Sequence, residues 1–543
     1  MVVVGLVRLA GMRVLVFHGY LLRGTGSNVY NASLAEALVR LGHEVHLVCQ
    51  ERHADELGFV GAVGDWDAGR LVVRRIRDTR CTVYRPNIGG VLPVYVPDRY
   101  EGIDARPFPE LSDLELARYL RANVEAVREV ASLSGCDVAL ANHLVMGPAI
   151  LARALSGAGV PYAVKVHGSA LEYTVRPHPR FLPYAREGVA AANAVLVGSR
   201  HTAESLWAVM LEPGLRARTR LGPPGVDVGR FRPVDREAAV SRLQALGERI
   251  ASRTLRRGLT SDGESLAQAG RGSSFSRDDA ATAVALADLA ESVRAGPVVA
   301  FVGKLIVSKG IDLLLVAWPL VLAAVPAARL VVVGFGAYRA AAERLIDALS
   351  TGDLMIVREL AARGRAAEGG LTSRLEFVIS FLDWLERSSD RAGYLRAAAQ
   401  MRKRVILTDR LEHEELADVL PACEAIVVPS TFPESFGMVA VEAAACGVLP
   451  ISAEHSGLAE VSRTLARRLP EQIRPLASFP LGPHVVQSIA TRVIDWLLAR
   501  PELHVVTRTA LVETVAARYS WEGVARGVIA AARGELATLE APG

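Results

Sequence analysis

Residues 424–450 read EAIVVPSTFPESFGMVAVEAAACGVLP. The opening EAIVVPS is apolar without alternation, as strands covered on both faces are. GMVAVEAAAC is made of strong helix formers, Gly447 stands where a left-handed C-terminal cap belongs, and Pro450 follows. The loop TFPESFG therefore lies at the carboxyl end of a parallel strand and leads into a helix N-terminus. Ligands bind at that place in open α/β sheets. The unpaired amides of a first helical turn and the helix dipole favour an anion there. A packed core requires neither Glu434 nor Glu442. Glu434 sits too near the anion site to be there for charge alone, and a carboxylate is a two-oxygen acceptor suited to sugar hydroxyls. Glu442, further along the helix, can reach a second set of hydroxyls such as a ribose. A phosphate with hydroxyls at each end describes a nucleotide sugar.

The same alternation of buried strands and Ala-rich helices continues on both sides. The first half offers RVLVFHG, EVHLVCQ, DVALANH, YAVKVHG and AVLVGS; the second offers PVVAFVG, RLVVVGFG, RVILTD, EAIVVPS and GVLPISA. This is the pattern of parallel βαβ units. It predicts an α/β chain of two Rossmann-like domains joined near LGPPGVDVGRFRP, over residues 1–222 and 223–510. A C-terminal piece, 511–543, ends in an amphipathic helix (YSWEGVARGVIAAARGELATL) that packs back toward the first domain. Two helical insertions interrupt the second domain. Residues 235–293 hold a Gly/Ser/charged stretch that reads as partly disordered or loosely helical, and 337–400 are rich in Arg, Ala and Glu.

Composition sets outer limits. A chain of 543 residues exceeds one ordinary core. With 51% hydrophobic and 22% charged residues it is globular. A net charge of +4 is too small a bias for nucleic-acid binding. The five cysteines are scattered without a C-x-x-C pair and read as buried apolar residues of a reducing compartment. The N-terminus could pass for a short signal peptide, but MRVLVFHG reads as a first strand, with Met12 a second candidate start. In IDLLLVAWPLVLAAVPAARLVVVGFG, Pro319, Pro326 and Arg329 break the apolar run, predicting two buried elements and not a membrane span.

PESFGMVAVEAAACG resembles the E-x7-E segment of retaining GT-B glycosyltransferases of family 4, and the resemblance spans most of the chain outside the insertions. FVGKLIVSKGIDLLL (301–315) is similar to the family's G-R-x4-K-G segment, whose two cations grip the donor diphosphate. Lys304, after Gly303, stands where Arg is usual, and Lys309 keeps the second place; a lysine brings a point charge where arginine brings a fork. VVVGFGAY resembles the loop beside the base, and RLEHEELADVLPACEAIVVPS the stretch that follows, with Asp409 where a glycine is expected. SGLAEV (Ser456–Val461) resembles the Gly-rich loop near the second glutamate. In the first half, GTGSNVYNASLAEALVRLGHEVHLV resembles the opening Gly-rich loop and helix. Gly24 and Gly26 there permit close backbone approach, and Asn28 and Tyr30 are similar to members that make inositol- or sugar-phosphate-linked products. KVHGSALEY resembles the H-G strand end that sets His167 beside the reacting sugar, and GPPGVD the interdomain crossing.

The resemblance implies a GT-B fold, two Rossmann-like domains facing a cleft, and retaining, metal-independent transfer from a UDP-, GDP- or ADP-sugar without a cofactor. It implies a catalytic set of His167, Lys304, Lys309 and Glu434. The donor would lie on Gly24, Gly26, Gly303, Phe436, Gly437, Met438 and Glu442, and the acceptor (a sugar, sugar phosphate or lipid-linked sugar) on Asn28, Tyr30 and Asn142. Negative charge grows on the leaving phosphate, so cations and helix amides placed beforehand lower the barrier. No nucleic acid is expected. The expected location is cytoplasmic, with a peripheral contact at the inner membrane face and a homodimer left open. Other readings remain: a non-catalytic nucleotide-sugar sensor or assembly subunit, with the insertions as docking surface, or a GT-B glucan synthase or epimerase.

Other motifs read more plainly. The two glutamates alone would suit a helix start without any ligand, and Lys304 and Lys309 alone would suit a solvated loop. GDWDAG has the D-x-D form of metal-dependent transferases but reads as a surface turn. RLVVRRIRDTR carries five arginines between Arg70 and Arg80, by default a solvated strand, with an anionic acceptor or lipid surface as the alternative. GTGSNV and GFGAYR lack the third small residue of the dinucleotide fingerprint. His18, His43 and His46 show no metal-ligand spacing and read as structural or exposed.

Overall fold

The computed structural model describes residues 11–95, 103–260 and 277–543. The apolar leader before Gly11 and the centre of the first insertion, 261–276, lie outside the described residues. The chain divides into two compact units, 1–225 with 519–543, and 226–518.

The first unit is built on eleven strands: β1 Arg13–Phe17, β2 Glu44–Val48, β3 Ala62–Asp67, β4 Arg70–Arg75, β5 Cys81–Arg85, β6 Val91–Val94, β7 Asp104–Pro107, β8 Val138–Asn142, β9 Tyr162–Val166, β10 Ala194–Val197 and β11 Thr219–Leu221. Nine form one sheet in the order β11-β10-β9-β8-β1-β2-β5-β3-β4, and β6 pairs with β7 apart from it. All pairings in the large sheet are parallel except β3 with β4. β1 shows why its sequence does not alternate. Val14 and Val16 enter a core with the helices Gly26–Arg40 and Trp521–Arg533, while Leu15 and Phe17 enter a second core on the opposite face. Each such side chain contributes roughly 1.5–3 kcal/mol on burial.

The second unit holds β12 Val298–Val302, β13 Arg329–Val333, β14 Val405–Thr408, β15 Ala425–Val428, β16 Leu449–Ala453 and β17 Ser478–Phe479, all parallel, in the order β14-β13-β12-β15-β16-β17. The long apolar run resolves into the buried helix Ile311–Ala324, with Pro319 inside it, and strand β13. Among the described residues no helix is long and apolar enough to cross a membrane. The described parts of the first insertion are two helices packed together, Arg236–Thr260 and Asp279–Ala295. The second insertion is helical, and its Tyr394 hydroxyl donates to the Val316 carbonyl at 2.9 Å, which ties it to the buried helix.

The division falls slightly off the expected boundaries. Gly225 lies so close to Trp521 that a Cβ would come within 2.7 Å of the indole, so the crossing through residue 225 stays with the first unit. The helix Pro501–Arg518 stays with the second, packed on Met438–Ala445. The D-x-D pair is on β3 and not in a turn, and Arg85 grips Asp65 with Nε at 2.7 Å and Nη2 at 2.5 Å. The arginine run forms the exposed edge strand β4 and its exit, where Arg75 pairs with Asp78 and Arg77 and Arg80 hold backbone carbonyls. His18, His43 and His46 are buried.

Candidate active site

In the second unit the chain winds from β12 outward through β13 to β14, then returns to β15 and winds the other way. The strand order therefore reverses between β12 and β15, which pair directly through Val299–Ala425 and Ala300–Ile426. A crevice opens at the carboxyl ends of strands at such a reversal. The loop after β12 carries Gly303, Lys304 and Lys309; the loop after β15 carries Glu434. Lys309 Nζ donates to Glu434 Oε1, so the two expected residues form an ion pair across the reversal.

The surrounding loops lock that pair. Ser430 Oγ donates to the same Glu434 oxygen at 2.7 Å. Thr431 N donates to the Ser308 carbonyl at 2.9 Å. Gly310 has φ +70°, and a Cβ there would lie 2.0 Å from the Pro429 carbonyl oxygen, so only glycine lets the two loops approach this closely. Burial alone would raise the Glu434 pKa. The Lys309 charge, its hydrogen bond and that of Ser430 outweigh burial and hold it below the usual carboxylate value. Gly437 caps the helix Met438–Ala445 in the left-handed region, so the amides after it stand at the expected anion position. Lys304 lies over the Phe335 ring, 5.9 Å from its centroid.

SGLAEV meets the first glutamate, not the second as expected. Glu434 N donates to Ser456 Oγ at 2.9 Å, and Gly457 N donates to the Glu434 carbonyl at 2.9 Å. His455 completes the knot, with Nε2 donating to the Ser430 carbonyl at 2.6 Å and Nδ1 accepting from Ser456 Oγ at 3.1 Å. The turn chemistry of Ser456, at φ +51°, brings the segment back over the loop. Glu442 is buried in its helix, and its Oε1 accepts from His413 Nε2 at 2.7 Å. Burial would lower the His413 pKa, yet the charge and hydrogen bond of Glu442 raise it. Asp409, in place of the expected glycine, pairs with Arg339 at 3.0 Å and accepts the Asp278 amide at 3.0 Å.

In the first unit the strand order reverses between β1 and β8, and the other candidates gather at the carboxyl ends of β1, β8 and β9. Gly24 has φ +94° in the loop before the helix that begins at Gly26. Asn31 donates to His18 Nδ1 at 3.0 Å and His18 Nε2 donates to Asn28 Oδ1 at 3.0 Å. His167 Nε2 donates to Asn142 Oδ1 at 2.8 Å, and Asn142 Nδ2 donates to the Phe17 carbonyl at 3.2 Å. Tyr30 lies edge-on to His167 at 5.0 Å and to Trp521 at 5.4 Å. Asn28, Tyr30 and Asn142 are thus buried at 1% exposure or less. As placed, Asn28 and Asn142 spend their polar ends on His18, His167 and backbone carbonyls, while the Tyr30 hydroxyl has no hydrogen-bond partner among the described residues and its ring packs on His167.

Sequence reasoning missed two further groups here. Lys165 is buried and donates to the Gly222 carbonyl at 2.5 Å, and burial pushes its pKa down to about 7. His143, at φ +67°, has no hydrogen-bond partner on either ring nitrogen among the described residues and packs against Tyr95 and His167. Burial pushes His18 down to about 4 and both His143 and His167 well below their ordinary value. Their position at the ends of central strands was the available signal.

Two family models match the chain. One described as glycosyl transferase 4-like domain covers residues 25–225, and one described as glycosyl transferases group 1 covers residues 386–469. A D-inositol 3-phosphate glycosyltransferase of Segniliparus rotundus is 27% identical over 315 residues, a match spanning 58% of this chain and 46% of the relative's length. The chain belongs to the family-4 type of GT-B glycosyltransferases. Solved structures agree on the fold. Sucrose-phosphate synthase from Thermosynechococcus elongatus is 18% identical with a TM-score of 0.54, over 97% of this chain and 100% of that one. HepE from Anabaena, solved in complex with UDP and glucose, is 15% identical with a TM-score of 0.52 at the same coverage. In this family-4 chain Glu434, Glu442 and His413 fall inside the second matched stretch, and Asn28, Tyr30, Asn142 and His167 inside the first. Lys304, Lys309 and most of the second insertion fall between the two.

Proposed function

We propose that this chain is a retaining glycosyltransferase that moves a sugar from a nucleoside-diphosphate sugar to an acceptor hydroxyl, without a metal. The observation that carries the reading is the Lys309–Glu434 pair at the β12/β15 reversal, beside the N-terminus of the helix Met438–Ala445. A cation, helix amides and an ionised carboxylate at one strand end suit a diphosphate followed by hydroxyls.

In this reading Lys309 and Lys304 neutralise the charge that grows on the leaving diphosphate, with help from the amides near Gly437. Glu434 accepts hydroxyls of the transferred sugar, and Glu442 serves the ribose. His167 serves the sugar. The acceptor hydroxyl attacks from the face the diphosphate leaves, so no side chain need become covalently linked. HepE was solved with UDP and glucose, and a starch synthase IV of Arabidopsis thaliana with ADP and acarbose; those ligands set the donor panel to try first.

The test is a thermal-shift panel of UDP-, GDP-, ADP- and TDP-sugars without added metal. A ligand at 100 times its Kd stabilises by about 2.7 kcal/mol, a shift of a few degrees. One clear shift followed by slow release of free sugar from that donor is the expected outcome. Binding without turnover in any acceptor screen would replace the transferase with a nucleotide-sugar sensor. A panel that stays blank with manganese would overturn the donor reading.

A further inference from the structure

The second insertion reaches the loop that carries the lysines. Glu368, at the end of the 3-10 turn Arg365–Glu368, accepts the Val307 amide on Oε2 at 2.8 Å. Val307 opens the 3-10 turn Val307–Lys309, whose first amides have no partner within the turn itself. A carboxylate at that end supplies the missing acceptor and complements the local positive charge. Lys309 closes the same turn, with its ammonium on Glu434. One three-residue turn is therefore anchored at its start by the insertion and at its end by the E-x7-E loop.

Glu368 is itself held in place. Its side chain is 11% exposed, Arg365 pairs with it at 3.3 Å, and Gly370 N closes its turn on the Arg365 carbonyl at 2.9 Å. Two buried oxygens lie close enough to feel its charge: Asp312, in the first turn of the helix that follows the lysine loop, and the Tyr338 hydroxyl. Asp312 Oδ1 and the Tyr338 hydroxyl have no hydrogen-bond partner among the described residues, so the Val307 amide is the contact that fixes the Glu368 carboxylate to the loop. Neither matched family stretch includes Glu368.

We propose that Glu368 is a positioning residue for the donor: by capping Val307 it sets the pose in which Lys309 meets the diphosphate, and it makes the insertion part of the donor grip. The inference rests on the donor reading above. Its test uses the full chain with E368A and E368Q, since glutamine keeps an oxygen for the Val307 amide and loses only the charge. Calorimetric binding of UDP, GDP and ADP is measured beside donor and acceptor KM. E368A is expected to weaken the recognised diphosphate about tenfold, or about 1.4 kcal/mol, and to raise the donor KM with the acceptor KM unmoved. E368Q is expected to recover most of that loss. If E368A does not fold, E368D takes its place, because it keeps the charge but is too short to hold the contact. Wild-type affinity in E368A or E368D would overturn the inference alone, as would an E368Q as weak as either. A wild-type chain that binds none of the three diphosphates would overturn the donor reading, and the inference with it.

Discussion

Each unit places its candidate residues where its strand order reverses, yet the two sites are electrostatic opposites. At the β1/β8 reversal the titratable groups are pushed toward neutrality: His18 to about 4, His143 and His167 well below the imidazole range, Lys165 to about 7, each chiefly by burial. At the β12/β15 reversal burial is overcome by a partner, so Glu434 stays ionised beside Lys309 and His413 gains proton affinity beside Glu442. Topology places a crevice; the pairing of side chains decides what it can hold. The first site suits neutral hydroxyl-bearing groups, and the second suits an anion.

The comparison breaks most directly at Lys309. Lys309→Ala is expected to lower kcat/KM by about two to three orders of magnitude, the usual scale for one preplaced charge in a transfer site. It also strips Glu434 of the counter-charge that holds its pKa down, so the acid limb of the pH–rate profile should move to higher pH. Lys304→Ala should depress turnover by orders of magnitude with the fold intact, measured as sugar transfer per folded molecule. Unchanged turnover in either variant would remove that lysine from the site.

Asn142→Ala probes the neutral site. It leaves the Phe17 carbonyl and His167 Nε2 without their shared partner in a buried place, which costs about 1–3 kcal/mol. The melting temperature should fall by a few degrees, and turnover per folded molecule should fall about tenfold as His167 loses its orientation. A drop in melting temperature with full turnover would make the first site purely structural, and the contrast between the units would then be one of packing alone.

Much of this arrangement was legible in residues 424–450. An apolar run that does not alternate, a Pro/Ser/Gly loop, and a helix stopped at Gly447, which has φ +74°, place Glu434 at a strand end without further help. Periodicity has no purchase on contacts between distant loops. Ser456 meets Glu434, and His455 the Ser430 carbonyl beside it, where a serine enters the left-handed region, an event with no pattern in the sequence. Glu368 lies 61 positions from Val307 inside a run of similar charged helices, where no spacing singles it out. The edge strand β4 reads as a charge run because nearly all of its side chains, on both faces, are exposed. Asn28 and Tyr30 look like ligand contacts by family pattern, and only the folded contacts show Asn28 bonded to His18 and the Tyr30 ring packed on His167.

The smallest expected effect is also the cleanest separation of the two sites. An unfolded Lys165 titrates near 10.5 and the folded one near 7. Between those values the unfolded chain holds a proton that the native chain lacks, so this group makes stability rise with pH across the window. Lys165→Met should therefore melt a few degrees above wild type near pH 7, with the advantage fading toward pH 10. His413 is raised, so its contribution is fully present below about 6.5 and is lost as pH climbs through the folded value. His413→Gln should show a deficit that is largest in acid and shrinks as pH rises. Paired melts of both variants against wild type between pH 5.5 and 10 thus predict differences of opposite sign, both fading upward. A Lys165→Met difference that stays flat would mean that the lysine is charged in the fold, and the first site would lose its neutrality.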